Sequence, residues 1–96
     1  MRREARYLKK EGVARREIAG ETFLIPICCA PVDMNDIFVL NPLADFIWQR
    51  LDGSRTAVTI VDEIVAEFDV ESARASEDFS DFVGRLLEKG LARELP

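Results

Sequence analysis

The chain has no histidine and only two cysteines among its 96 residues. Histidine is the side chain most often used for general acid–base work near neutral pH. Its absence removes the commonest catalytic group, leaves any thiol nucleophile without an imidazole partner, and denies a closed zinc site its usual ligands. Cys28 and Cys29 are adjacent. Neighbours in an extended segment point to opposite faces, so a bond between them is geometrically poor, and they read as one core thiol and one exposed or half-exposed thiol. The five glycines (Gly12, Gly20, Gly53, Gly84 and Gly90) are isolated, which excludes a glycine-rich phosphate loop. No apolar run approaches the ~20 residues needed to span a bilayer, and the N-terminal arginines are not followed by the apolar segment of a signal peptide. The expectation is a cytoplasmic protein with no membrane association, no metal and no cofactor.

What remains is an ordinary globular composition, 48% hydrophobic, enough for one domain around one core. A core of this size favours shallow surface grooves over deep enclosed clefts. The formal charge of −5 is unevenly spread. Residues 1–20 carry seven Lys/Arg and three Asp/Glu, a local +4, and the rest of the chain carries −9. Residues 1–12 therefore read as a flexible basic N-terminal arm, and residues 13–96 as a single domain.

Residues 13–19 and 22–29 read as two strands joined by a tight Gly20-Glu21 turn. Pro26 marks an edge, a bulge or the end of pairing in the second strand. A loop over residues 30–35 leads to a third strand, Asp36–Leu40, which turns directly into a helix. Asn41 suits the N-cap, Pro42 the first helical position, and Gly53 the stop. Leu43, Ile47 and Leu51, with Phe46 and Trp48 beside them, give that helix a broad apolar face. A second helix follows Thr56 as N-cap and runs to about Phe68, with Ile60, Val61, Ile64, Val65 and Phe68 on one stripe. A third, capped near Ser72 and stopped by Gly90, buries Ala75, Phe79, Phe82, Val83, Leu86 and Leu87. Leu91–Leu95 is a short, extended tail. Three strands followed by three helices define the α+β class: a three-stranded antiparallel sheet with segregated helices, in a winged-helix-like arrangement. Such a sheet has two edges, each a row of unpaired backbone groups.

The carboxylates Asp62-Glu63, Glu77-Asp78 and Asp81 fall on the polar faces of helices, where solvation explains them, so the chain is not expected to be an enzyme. Nor does it suit nucleic acid. Arg74, Arg85 and Lys89 are outnumbered on the third helix by Glu71, Glu77, Asp78, Asp81 and Glu88, the wrong sign for phosphate contacts.

The segments Arg16-Glu17-Ile18-Ala19-Gly20-Glu21-Thr22, Leu24-Ile25-Pro26-Ile27, Leu40-Asn41, Phe46-Ile47-Trp48, Leu51-Asp52-Gly53, Arg55-Thr56, Phe68-Asp69-Val70, Asp78-Phe79 and Leu86-Leu87-Glu88-Lys89-Gly90-Leu91 occur in the order and spacing of a known pattern. Over about residues 13–95 the chain resembles PqqD-like proteins, named for pyrroloquinoline quinone synthesis protein D. The resemblance implies a chaperone-like recognition element for ribosomally made, post-translationally modified peptides. Such a protein holds the leader of a precursor peptide as a fourth strand and presents it to a modifying enzyme, often a radical S-adenosylmethionine protein. It also implies a site: Asp36, Ile37, Phe38, Val39 and Leu40 on the edge strand, with Asp78, Asp81, Phe82, Arg85 and Lys89 on the last helix. Homodimerisation through the same edge uses identical physics and is the alternative; a winged-helix nucleic-acid binder ranks below both.

Overall fold

A computed structural model of the chain describes residues 3–26 and 38–96. Cys28, Cys29 and the expected loop at 30–35 lie outside the described residues. The order is β1 (Arg6–Lys9), β2 (Val13–Ile18), β3 (Glu21–Pro26), β4 (Phe38–Leu40), α1 (Pro42–Gln49), β5 (Asp52–Thr56), α2 (Ala57–Phe68), α3 (Ser72–Glu88) and β6 (Ala92–Glu94). Among the described residues the class is α+β with three helices, but the strands form two antiparallel three-stranded sheets, ordered β2-β3-β4 and β5-β1-β6, where the sequence implied one.

In the first sheet β2 pairs with β3 from Val13↔Pro26 to Ile18↔Glu21, and β4 adds through Thr22↔Leu40, Phe23↔Val39 and Leu24↔Phe38. The hairpin turn is Ala19-Gly20, one residue earlier than expected. Both residues have positive φ, 53° and 83°, the conformation whose twist matches the flanking strands.

The second sheet corrects the reading of residues 1–12 as a flexible arm. Arg6–Lys9 is its central strand, paired with β5 through Arg6↔Thr56 and Leu8↔Asp52 and with β6 through Tyr7↔Glu94, Leu8↔Arg93 and Lys9↔Ala92. The count of basic residues concealed an alternation of period two: Ala5 and Tyr7 are buried, while Glu4 and Arg6 face water. Tyr7 sets its ring edge-on to Phe79 of α3, with centroids 6.1 Å apart. Lys9 reaches over the Trp48 ring at 5.7 Å; burial pushes its ammonium pKa down, against the opposing pull of Asp52.

The first helix also ends earlier than the glycine signal implied. Arg50 caps it, and Arg50 N–H and Leu51 N–H close tight bonds to the Ile47 and Trp48 carbonyls at 3.0 and 3.2 Å. Gly53 lies instead in β5 at φ 81°, where the pairing with β1 is irregular. A Cβ there would stand 3.1 Å from Leu95 Cδ1, so both backbone and space favour glycine.

The remaining helix boundaries follow the sequence reading closely. Thr56 caps α2, its side chain accepting from Thr59 N–H at 3.3 Å. The end of α3 is a Schellman turn: Gly90 adopts φ 70°, Leu91 N–H donates to Leu86 O at 2.9 Å and Gly90 N–H to Leu87 O at 3.2 Å. Phe79, Leu24, Ile47, Leu51, Ile60, Ile64 and Leu86 are fully buried, and with buried Tyr7 and Ala92 of the second sheet they form one core that joins both sheets to the three helices. Leu87, expected inside, is exposed. Among the described residues no helix is long and apolar enough to cross a membrane.

Candidate functional site

Strand β4 is the last strand of its sheet, bonded to β3 on one side and, among the described residues, to no strand on the other. Its side chains alternate as a pleated strand requires: Phe38 is half-buried and Leu40 buried, while Val39, between them, is 58% exposed. The strand cannot continue because Asn41 caps α1, its Oδ1 accepting from Ala44 N–H at 2.7 Å, with Pro42 as the first helical residue. The direction of α1 is held by a two-pronged ion pair in which Arg15 of β2 donates to both Asp45 oxygens, at 2.6 and 2.7 Å. Those bonds are the main cause that lowers the Asp45 carboxyl pKa, with a lesser contribution from Gln49.

Opposite the open edge runs α3. Phe82, almost fully buried, meets the Phe38 ring edge-on with centroids 5.7 Å apart, and the Arg85 guanidinium lies 6.0 Å over the same Phe38 ring. One helical turn apart, Arg74 and Asp78 form an ion pair at 3.2 Å. Between edge and helix lies a groove of about 800 Å³. Its wall from Arg74 to Arg85 spans ~16 Å at 1.5 Å per residue, which accommodates about five residues of extended chain. Among the described residues no cluster of Cys, Asp and Glu could hold a metal ion.

Of the ten residues expected at the site, Phe38, Val39, Leu40, Asp78, Asp81, Phe82 and Arg85 line this one groove. Lys89 does not: it caps the end of α3 and is absent from the lining. Asp36 and Ile37 lie outside the described residues. The expectation missed Arg74, the Gly20-Glu21 end of the hairpin, and Pro42, Leu43, Ala44 and Ile47 of the first helix. Arg74 was legible, since it precedes Asp78 by one turn on the same helical face. The hairpin was not, because only the pairing Thr22↔Leu40 carries Glu21 to the end of β4.

Comparison with known proteins bears on this geometry. A search of curated proteins returns no match. The chain is similar to the solved structure described as TbiB1 in complex with the TbiA(beta) leader peptide, at 26% identity over 90% of this chain and 94% of that one, with a TM-score of 0.71. It shares the fold of lasso peptide synthetase B1 complexed with the leader peptide, at 22% identity, 94% and 98% coverage and a TM-score of 0.72. The family model described as coenzyme PQQ synthesis protein D matches residues 28–92. That span is more than half of the chain and includes β4, all three helices and hence most of the groove, so the protein belongs to the PqqD family.

Proposed function

We propose that this protein is a non-enzymatic adaptor that holds the leader segment of a ribosomally made precursor peptide as an added strand on β4 and presents the peptide to a modifying enzyme. The observation that carries this reading is the open edge of β4 facing α3 across a groove of about 800 Å³. Two structures with this fold are themselves leader-peptide complexes, which supports the same occupant here. In this reading Phe38, Val39 and Leu40 supply the edge, and Asp78, Asp81, Phe82 and Arg85 supply the wall.

An added strand gains affinity from main-chain hydrogen bonds and specificity from alternate side chains. At a net ~0.5–1.5 kcal/mol per bond, four or five bonds do not offset the cost of ordering a flexible peptide. Apolar contacts must contribute, and Phe38 against Phe82 is the aromatic surface positioned for them.

The test is titration of isotopically labelled protein with the leader of a precursor encoded beside it. Saturable amide shifts confined to residues 38–41 and α3 are expected. The reading fails if those amides respond to dilution of the protein and not to the peptide, which would instead mark the edge as a homodimer contact. Val39→Pro, which removes one backbone donor from the strand, should weaken leader binding at least tenfold while the protein stays folded. Unchanged affinity would exclude strand addition at β4.

A further inference from the structure

Arg74 and Asp78 neutralise each other on the groove wall. Asp81 and Arg85, also one turn apart and both exposed, do not: neither carries an ion pair among the described residues. An acid placed four residues before a base is the favourable order for a helical pair. Arg85 nonetheless holds its guanidinium over the Phe38 ring, an attraction that leaves its hydrogen-bond donors available. On the α3 wall the groove thus offers one anionic and one cationic group without an ion-pair partner among the described residues.

Their order along the groove is fixed by the fold. Four successive turns of α3 line it, so it runs lengthwise along that helix. Phe38 stands at the Arg85 end, and the chain proceeds through Leu40 and Pro42 along the rest of the lining, which on α3 extends back to Arg74. A guest antiparallel to β4 runs the opposite way, meeting Asp81 before Arg85. One helical turn of four residues advances ~6 Å, close to two residues of extended chain, and residues two apart share a face of a strand. Resting on the strand-addition reading above, we propose that the groove selects a guest strand carrying a cationic residue two positions before an anionic one, the first facing Asp81 and the second facing Arg85.

The experiment uses three blocked synthetic twelve-residue peptides, identical except for a central Lys-Val-Glu, Glu-Val-Lys or Gln-Val-Gln, titrated into the full chain with amide shifts as readout. The Lys-first peptide should bind about tenfold more tightly than the Glu-first one at 50 mM salt, the size expected when two exposed attractions become two repulsions. The gap should close towards 1 M salt, where screening acts within ~3 Å. Asp81→Arg combined with Arg85→Asp should invert the ranking, and if that variant does not fold, Asp81→Asn with Arg85→Gln should abolish it. Equal affinity of all three peptides for the unaltered protein overturns the inference alone, as does a preference for the Glu-first order. Failure of every peptide to shift the Phe38–Leu40 amides overturns the inference, while strand addition itself stands or falls on the leader titration and Val39→Pro.

Discussion

Tyr7→Ala is the substitution that most directly tests whether the basic N-terminal segment is a structural strand. Tyr7 is 4% exposed at the centre of the β5-β1-β6 sheet, with its ring against Phe79, which is itself fully buried. Truncating a buried aromatic side chain to alanine costs about 3–5 kcal/mol, because lost burial is compounded by the cavity left behind. Against a total stability of about 5–15 kcal/mol that is a large fraction. At roughly 4–8 °C per kcal/mol for a chain near this length, the melting temperature should fall by about 12 °C or more. The assay is a pair of thermal and urea melts, with Arg6→Ala as control; its side chain is exposed on the same strand and should cost no more than about 0.5 kcal/mol. Tyr7 does not line the groove, so below its melting temperature the Tyr7→Ala protein should bind a leader peptide within twofold of the parent. A melting temperature within about 2 °C of the parent would refute the packing argument and restore the segment to a solvated arm. Loss of binding in a folded variant would refute the separation between this sheet and the groove.

Three further outcomes follow from local features. Ala19 adopts φ 53°, a conformation that costs a non-glycine residue roughly 1–2 kcal/mol; less the greater unfolded-state freedom of glycine, Ala19→Gly should stabilise by about 0.5 kcal/mol, seen as a higher urea midpoint, and Ala19→Val should lower it. The Asp52 carboxyl is lowered to about 2, chiefly by bonds from the Ser54 N–H and hydroxyl at 2.9 and 2.7 Å. Its folded pKa lies below its unfolded one, so the stability it contributes is present above about pH 4 and is lost as pH falls towards 2; urea midpoints across pH 2–6 should show a shallower acid limb in Asp52→Asn. A double-mutant cycle on Arg15→Ala and Asp45→Ala should yield a small favourable coupling for this part-exposed pair, diminished by salt, and a coupling of zero would remove it as the fastening of α1.

The helices were legible because their signal is local. Ile60, Val61 and Ile64, or Ala75, Phe79, Phe82, Val83 and Leu86, declare a buried face by spacing alone, and all are buried. Strands β1, β5 and β6 are three to five residues long, so their alternation is brief and easily outweighed, as at β1 by the surrounding basic residues, and their partners stand far away in sequence. Gly53 was misread for a related reason. Its position after an apolar helical run is a valid stop signal, yet its positive φ serves an irregular strand pairing decided by residues 6–8. The same contrast holds at the groove. The α3 wall follows from helical spacing, whereas Glu21 joins it only through the register of β3 with β4.

The pairing of β1 with β6 orders events as the chain is synthesised. The β2–β3 hairpin joins residues close in sequence and can close in microseconds once it leaves the ribosome. Strand β1 is made first but receives its second neighbour only when residues 92–94 arrive. Until then Tyr7 and Leu8 lack one side of their ladder, and a newly made chain carries a half-built sheet with an open, part-apolar edge, a state prone to wrong pairing. The three residues of β6 therefore act as a clasp, and shortening them should lower the yield of folded protein during synthesis more than it lowers the stability of molecules already folded.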